Sequence, residues 1–144
     1  MFSKACEYGI RATLHIAQKS LHGERVSLKE IAGEIDSPVA FTAKILQQLT
    51  RAGLITSVKG PSGGFQIAKK DMDRIKLSDI VNTIDGDSIY KGCGLGLPAC
   101  NAKKPCPVHD KFALVRNELR TMLENTSLYE LATGLDLELT YLKR

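Results

Sequence analysis

No apolar run in this 144-residue chain approaches the ~18 residues that a helix needs to cross a bilayer, which excludes a helical membrane span. The opening Met1-Phe2-Ser3-Lys4-Ala5-Cys6-Glu7-Tyr8 also lacks the continuous apolar stretch of a secretory signal, because a carboxylate interrupts it. A cytoplasmic protein is the resulting expectation. Internal repeats and low-complexity tracts are missing, which sets aside solenoids and biased linkers. Cysteine is confined to Cys6, Cys93, Cys100 and Cys106, and without an export signal a disulfide framework is not expected. Nor is there a convincing pairing of a base with a nucleophile. His15 and His22 lie in or beside the first helical stretch, far in sequence from the clustered cysteines, which counts against a small redox or zinc enzyme.

What is present fits one domain, or a small domain with an appendage. Hydrophobic residues make up 43% and charged residues 25%, so the chain has the means to bury a core. The net charge of +4 is unevenly spread: residues 1–70 carry ten Lys and Arg against five Asp and Glu, residues 71–144 ten against eleven. A basic first half suits a nucleic-acid face, and equally an ordinary solvated surface.

Phe2, Cys6, Ile10, Thr13 and Ala17 recur at spacings of three and four, which predicts an amphipathic helix over 2–18. Ser27-Leu28-Lys29-Glu30 has the form of a capping box, opening a short helix that ends near Glu34. Ser37 reads as the cap of the next helix, with Pro38 at its first position and Gly53 closing it after Ala52. The buried stripe of that helix reads as Phe41, Ile45, Leu46 and Leu49, leaving Thr42, Lys44, Gln47, Gln48 and Arg51 outside. Strand-like residues 54–59 and 65–69 flank the small-residue tip Gly60-Pro61-Ser62-Gly63-Gly64. Two short helices followed at once by a hairpin is the order of a winged helix, whose second helix reads DNA. A small α+β core with a polar outer helix is the plainer alternative.

A short helix is expected over 77–84. From residue 85 to 107 the apolar periodicity gives way to glycines, charges and three cysteines, a loop long enough to be functional or disordered. A helix then runs from Pro107 to about Asn125, carrying Phe112, Val115, Leu119 and Met122 as a heptad-like stripe. Such a stripe folds back on its own domain or pairs with a second chain, and the two-fold symmetry of a palindromic DNA site favours the homodimer. Ser127 caps a last short helix over 128–133. The expected fold class is mostly α (α+β): a winged helix-turn-helix domain over 1–85, a cysteine-bearing loop over 86–107, and a long dimerisation helix with its tail over 108–144.

Cys93, Cys100 and Cys106 are spaced C-x6-C-x5-C, and His109 follows Cys106 as C-x2-H. A structural zinc site usually takes paired C-x2–4-C knuckles, which this spacing lacks. Wide gaps suit a larger object, such as an iron–sulfur cluster, and thiolate softness agrees with iron–sulfur or zinc. Gly92, Gly94 and Gly96 would let backbone N–H groups approach bound sulfides. Zinc, or bare thiols that sense oxidation, are the competing readings. Three thiolates leave a fourth position. His109 is the local candidate and Glu7, on the first helix of this chain or of a partner, the remote one; otherwise Glu7 simply pairs with Arg11 one turn on. Cys6, on the buried stripe, reads as a small core residue.

The run Ile45-Leu46-Gln47-Gln48-Leu49-Thr50-Arg51-Ala52-Gly53-Leu54-Ile55, then Ser57-Val58-Lys59-Gly60-Pro61-Ser62-Gly63-Gly64-Phe65, resembles the bacterial IscR/NsrR family of winged-helix transcription regulators that carry an iron–sulfur cluster. The similarity extends from Glu7-Tyr8-Gly9-Ile10-Arg11-Ala12 to the helix after Cys106. The resemblance implies a homodimer that crosses its long C-terminal helices, binds palindromic operator DNA, and holds a cluster on each cysteine loop near the partner's first helix. It implies His109 as fourth ligand in the manner of IscR, with a 2Fe–2S cluster, or Glu7 in the manner of NsrR, with 4Fe–4S. Thr42, Lys44 and Gln48 are then expected at base edges or phosphates, and Ser37, Lys59, Ser62 and the Gly63 backbone at the sugar–phosphate strand. Two positions depart from the IscR pattern. Ala43-Lys44 stand in place of a base-reading Glu-Gln pair, and Lys59 in place of a wing arginine, so narrow-groove readout is expected to be weaker or different and the IscR operator does not carry over.

Overall fold

A computed structural model describes residues 1–143. Its helices are α1 (Lys4–Ser20), α2 (Leu28–Glu34), α3 (Val39–Arg51), α4 (Leu77–Ile84), the single turn α5 (Ser88–Lys91), α6 (His109–Asn125) and α7 (Leu128–Asp136). Strands β1 (Thr56–Val58) and β2 (Gly64–Gln66) form an antiparallel hairpin after α3, with Ser57 opposite Phe65. None of the described helices is long and apolar enough to cross a membrane.

The Ser3 hydroxyl accepts the Cys6 N–H and caps α1. The expected stripe holds at Cys6, Thr13 and Ala17, yet every residue from Ala12 to Ala17 is buried. One apolar face is too narrow a description: α2, α3, α4, α7 and β2 all pack on α1, so it is enclosed on several sides as a central helix must be. His15 is part of that enclosure. Burial holds its imidazole below its ordinary pKa, and its Nε2 has no hydrogen-bond partner.

α2 begins as expected, with the Ser27 hydroxyl accepting the Glu30 N–H at 3.1 Å. The Glu30 carboxylate sits 4.0 Å from the His15 Nε2, so the box is formed on one side. α3 opens one residue later than expected. Pro38 is its N-cap, in an extended conformation and with no side-chain cap bond. The Ser37 hydroxyl is buried without a partner. α3 does close at Gly53, whose φ of +76° is the left-handed turn that glycine adopts freely. Ile45, Leu46 and Leu49 are buried as expected, but Phe41 is partly exposed, its ring set edge-on to Tyr8 at 5.7 Å.

α4 matches its expected bounds. α7 returns to the main body: Leu128 and Ala132 share the core of α1, and the Leu128 N–H bonds the Ile75 carbonyl at 3.0 Å. Between them, α5 and α6 build a second apolar cluster from Cys6, Val81, Tyr90 and Leu123, with Leu119 at its edge. Burial there, reinforced by the neighbouring Asp85 charge, pushes the Cys6 thiol up to about 12, so it is a neutral core group. α5, which carries Tyr90 into this cluster, lies inside the stretch expected to be irregular.

Candidate nucleic-acid interface and cysteine loop

α2, α3 and the hairpin meet around a shallow pocket lined by Leu28, Gln47, Arg51, Ser57 and Phe65. Lys44, Gln47, Gln48 and Arg51 project from α3, and Lys59 and Ser62 from the hairpin, all of them exposed. The geometry of the tip is set by backbone contacts. The Gly63 N–H donates to the Gly60 carbonyl at 2.9 Å, and a Cβ on Gly63 would collide with the Val58 carbonyl. Val26 bridges Phe65 across the open edge, and Arg25 braces the tip, donating to Gln66 Oε1 at 3.1 Å and to the Ser62 carbonyl at 3.2 Å.

Three expected contacts need correction. Thr42 is fully buried and its hydroxyl donates to the Pro38 carbonyl at 2.9 Å, because the α3 face turned to the core includes it while Phe41 sits at the rim. The Ser37 hydroxyl is enclosed. The Gly63 N–H is spent within the turn, so this glycine shapes the tip and offers no free donor. Lys44, Gln48, Lys59 and Ser62 remain available. Arg25 was not anticipated, since it precedes the motif in sequence and only the folded hairpin brings Ser62 and Gln66 beside it.

The cysteine loop lies against the start of α6. Cys100 Sγ is 3.4 Å from His109 Nδ1 and accepts a bond from Arg116 Nη2, also at 3.4 Å. The Leu95 and Leu97 N–H groups, directed at its sulfur, hold the Cys93 thiol below its ordinary pKa, with smaller help from Cys106 and the Arg116 charge. Cys100 and His109 thus lie together, while Cys93 and Cys106 are free, partly buried thiols of the same loop. Among the described residues no three His, Cys, Asp or Glu side chains converge on a single ion-sized point. Glu7 is half-exposed and pairs with Lys4 at 3.2 Å rather than with Arg11, whose guanidinium lies over the Tyr8 ring at 4.9 Å. Arg116, absent from the sequence reading, was signalled by its spacing: seven residues after His109 places it two turns on, along the same helix face.

Of the stripe on α6, Leu119 turns inward to the second cluster, while Phe112, Val115 and Met122 are exposed, joined by Leu114. The loop and this surface touch, for a Cβ on Gly94 would come within 2.5 Å of the Phe112 ring.

The chain is similar to known proteins over nearly its whole length. An HTH-type transcriptional regulator of Aquifex aeolicus is 32% identical over 134 residues, spanning 91% of this chain and 90% of that protein. The crystal structure of Staphylococcus aureus CymR superposes with a TM-score of 0.71 at 28% identity, covering 90% of this chain and 96% of that one. The structure of T. potens IscR gives a TM-score of 0.74 at 23% identity, over 98% and 92%, which establishes the shared winged-helix fold. A family model, Rrf2, described as iron-dependent transcriptional regulator, matches residues 2–134. On the match of that model and of the Aquifex aeolicus protein, the chain belongs to the Rrf2 family of transcriptional regulators.

Proposed function

We propose that the protein is a sequence-specific DNA-binding regulator that acts as a homodimer on a palindromic operator, and that an iron–sulfur cluster on the cysteine loop governs its affinity. The observation that carries this reading is the grouping of three thiols and an imidazole beside an exposed apolar helix face. Their chemistry fits the group. Soft sulfur and nitrogen donors suit iron–sulfur, and the wide C-x6-C-x5-C spacing lacks the paired knuckles of a structural zinc site.

Cys93, Cys100 and Cys106 would hold the cluster, with His109 as fourth ligand and 2Fe–2S as the favoured type. His109 already lies on Cys100, whereas Glu7 could serve only from elsewhere, in a 4Fe–4S alternative. When bound, the cluster supplies a junction sensitive to redox state or nitric oxide that breaks when it is lost or modified. The chain's own part is mechanical. The loop presses Gly94 on Phe112, so a rearranged loop shifts the α6 surface that Val115 and Met122 share, and with it the spacing of two α3 helices. A tenfold change in occupancy requires only ~1.4 kcal/mol between the two arrangements.

At the DNA, Lys44 and Gln48 approach base edges or phosphates, and Lys59 and Ser62 hold the strand beside the wing. The first N–H groups of α3, which no side chain caps, favour a phosphate. Lys44→Ala is expected to weaken operator binding by about 1–3 kcal/mol. Quantitative gel shifts check this, and unchanged affinity at low salt removes Lys44 from the interface. A second reading, a cluster-free regulator that senses through its thiols, draws on the three free cysteines of the loop.

A further inference from the structure

Arg116 is a half-buried cation with no anion. Among the described residues no carboxylate lies within 4.0 Å of it, and its Nε is enclosed without a hydrogen-bond partner. Its remaining bonds go to the cysteine loop: Nη1 donates to the Gly92 carbonyl at 2.7 Å and Nη2 to Cys100 Sγ at 3.4 Å. One turn further on, Arg120 lies over the Tyr90 ring at 5.0 Å, so α6 carries two cations four residues apart. Like charges at that spacing oppose each other. Removing a guanidinium from water without a counter-charge is unfavourable, and an arrangement of this kind persists where an anion completes it. Polar solvation at the half-exposed edge alone leaves the enclosed Nε unexplained.

We propose that Arg116 is the counter-cation of the cysteine centre, a positioning residue that clamps the loop at Gly92 and Cys100 and offsets the negative charge gathered by the thiolate-ligated group. This rests on the cluster reading above. The planar fork suits the task, since one guanidinium reaches a carbonyl and a sulfur in fixed directions at once. Two consequences follow. A nearby cation favours the more negative, reduced state, so its removal lowers the reduction potential. Its two bonds tether Gly92 and Cys100, so their removal speeds loss of the cluster.

The test compares wild type, Arg116→Gln and Arg116→Lys, purified without oxygen, by iron and acid-labile sulfide content, reduction potential, and rate of iron release to a chelator. Arg116→Gln is expected to shift the potential to more negative values and release iron about tenfold faster, the usual scale for groups that orient metal ligands. Arg116→Lys keeps the charge but not the fork. Its potential should stay near that of wild type while its release quickens, which keeps the proposal testable should the Gln variant fail to fold. Wild-type potential and release rate in the Gln variant, or a wild-type release rate in the Lys variant, overturn the role of Arg116 while leaving the cluster in place. Wild-type protein without iron and sulfide overturns the cluster reading itself, and Arg116 with it.

Discussion

An aspartate at Val115 is expected to leave the protein monomeric and to lower its affinity for a two-half-site operator by about 10²–10⁴, the gain that linking two binding modules normally confers. Val115 is 63% exposed and Leu114 68%, beside Phe112 and Met122, so substitution costs the single chain little. In a two-fold contact each substituted residue appears twice. Two carboxylates would then be desolvated close together, a like-charge arrangement that few apolar contacts offset. Sedimentation velocity and gel shift on the same samples check both halves of this expectation. A variant that stays dimeric would place the seam elsewhere on the molecule.

Leu123→Ala is expected to destabilise the fold by about 2–5 kcal/mol, a large share of the roughly 5–15 kcal/mol that holds a domain together. Leu123 is fully buried and joins α6 to Cys6, Val81 and Tyr90. Alanine favours the helix itself, so the loss would come from the cavity between α6 and the body, not from the helix backbone. Urea unfolding measures it, with Leu114→Ala as the exposed control expected to stay within about 0.5 kcal/mol. A loss at Leu123 no larger than at Leu114 would mean that α6 is not anchored by this cluster.

The winged helix was legible because its signals are local. Ser27 caps α2, Gly53 closes α3, and the Gly60–Gly64 tip separates two strands, each within a few residues of the structure it dictates. α1 was legible as a helix but not as a central one, because enclosure depends on α7 returning from more than a hundred residues away. Thr42 was misplaced for a related reason: a hydroxyl that bonds its own helix backbone is as compatible with burial as an alkyl group, and periodicity reads it as polar. The α6 stripe mixed two faces, since a heptad pattern on one helix does not tell Leu119, which packs inward, from Val115, which does not. At the cysteine loop, spacing marked Cys93, Cys100, Cys106 and His109 as candidate donors. The partners Arg116 and Gly92, and the contact of Gly94 with Phe112, arise only when the loop lies on α6.

If the proposed switch operates, the state of the cysteine centre decides how tightly the protein holds its operator. The most direct measurement is operator affinity of oxygen-free protein beside the Cys93→Ala, Cys100→Ala, Cys106→Ala triple variant, with iron and acid-labile sulfide assayed on both. A coloured, iron- and sulfide-bearing wild type is expected, its affinity differing at least about tenfold, or ~1.4 kcal/mol, from that of a colourless variant. A colourless, iron-free wild type that binds as tightly as the variant would contradict it.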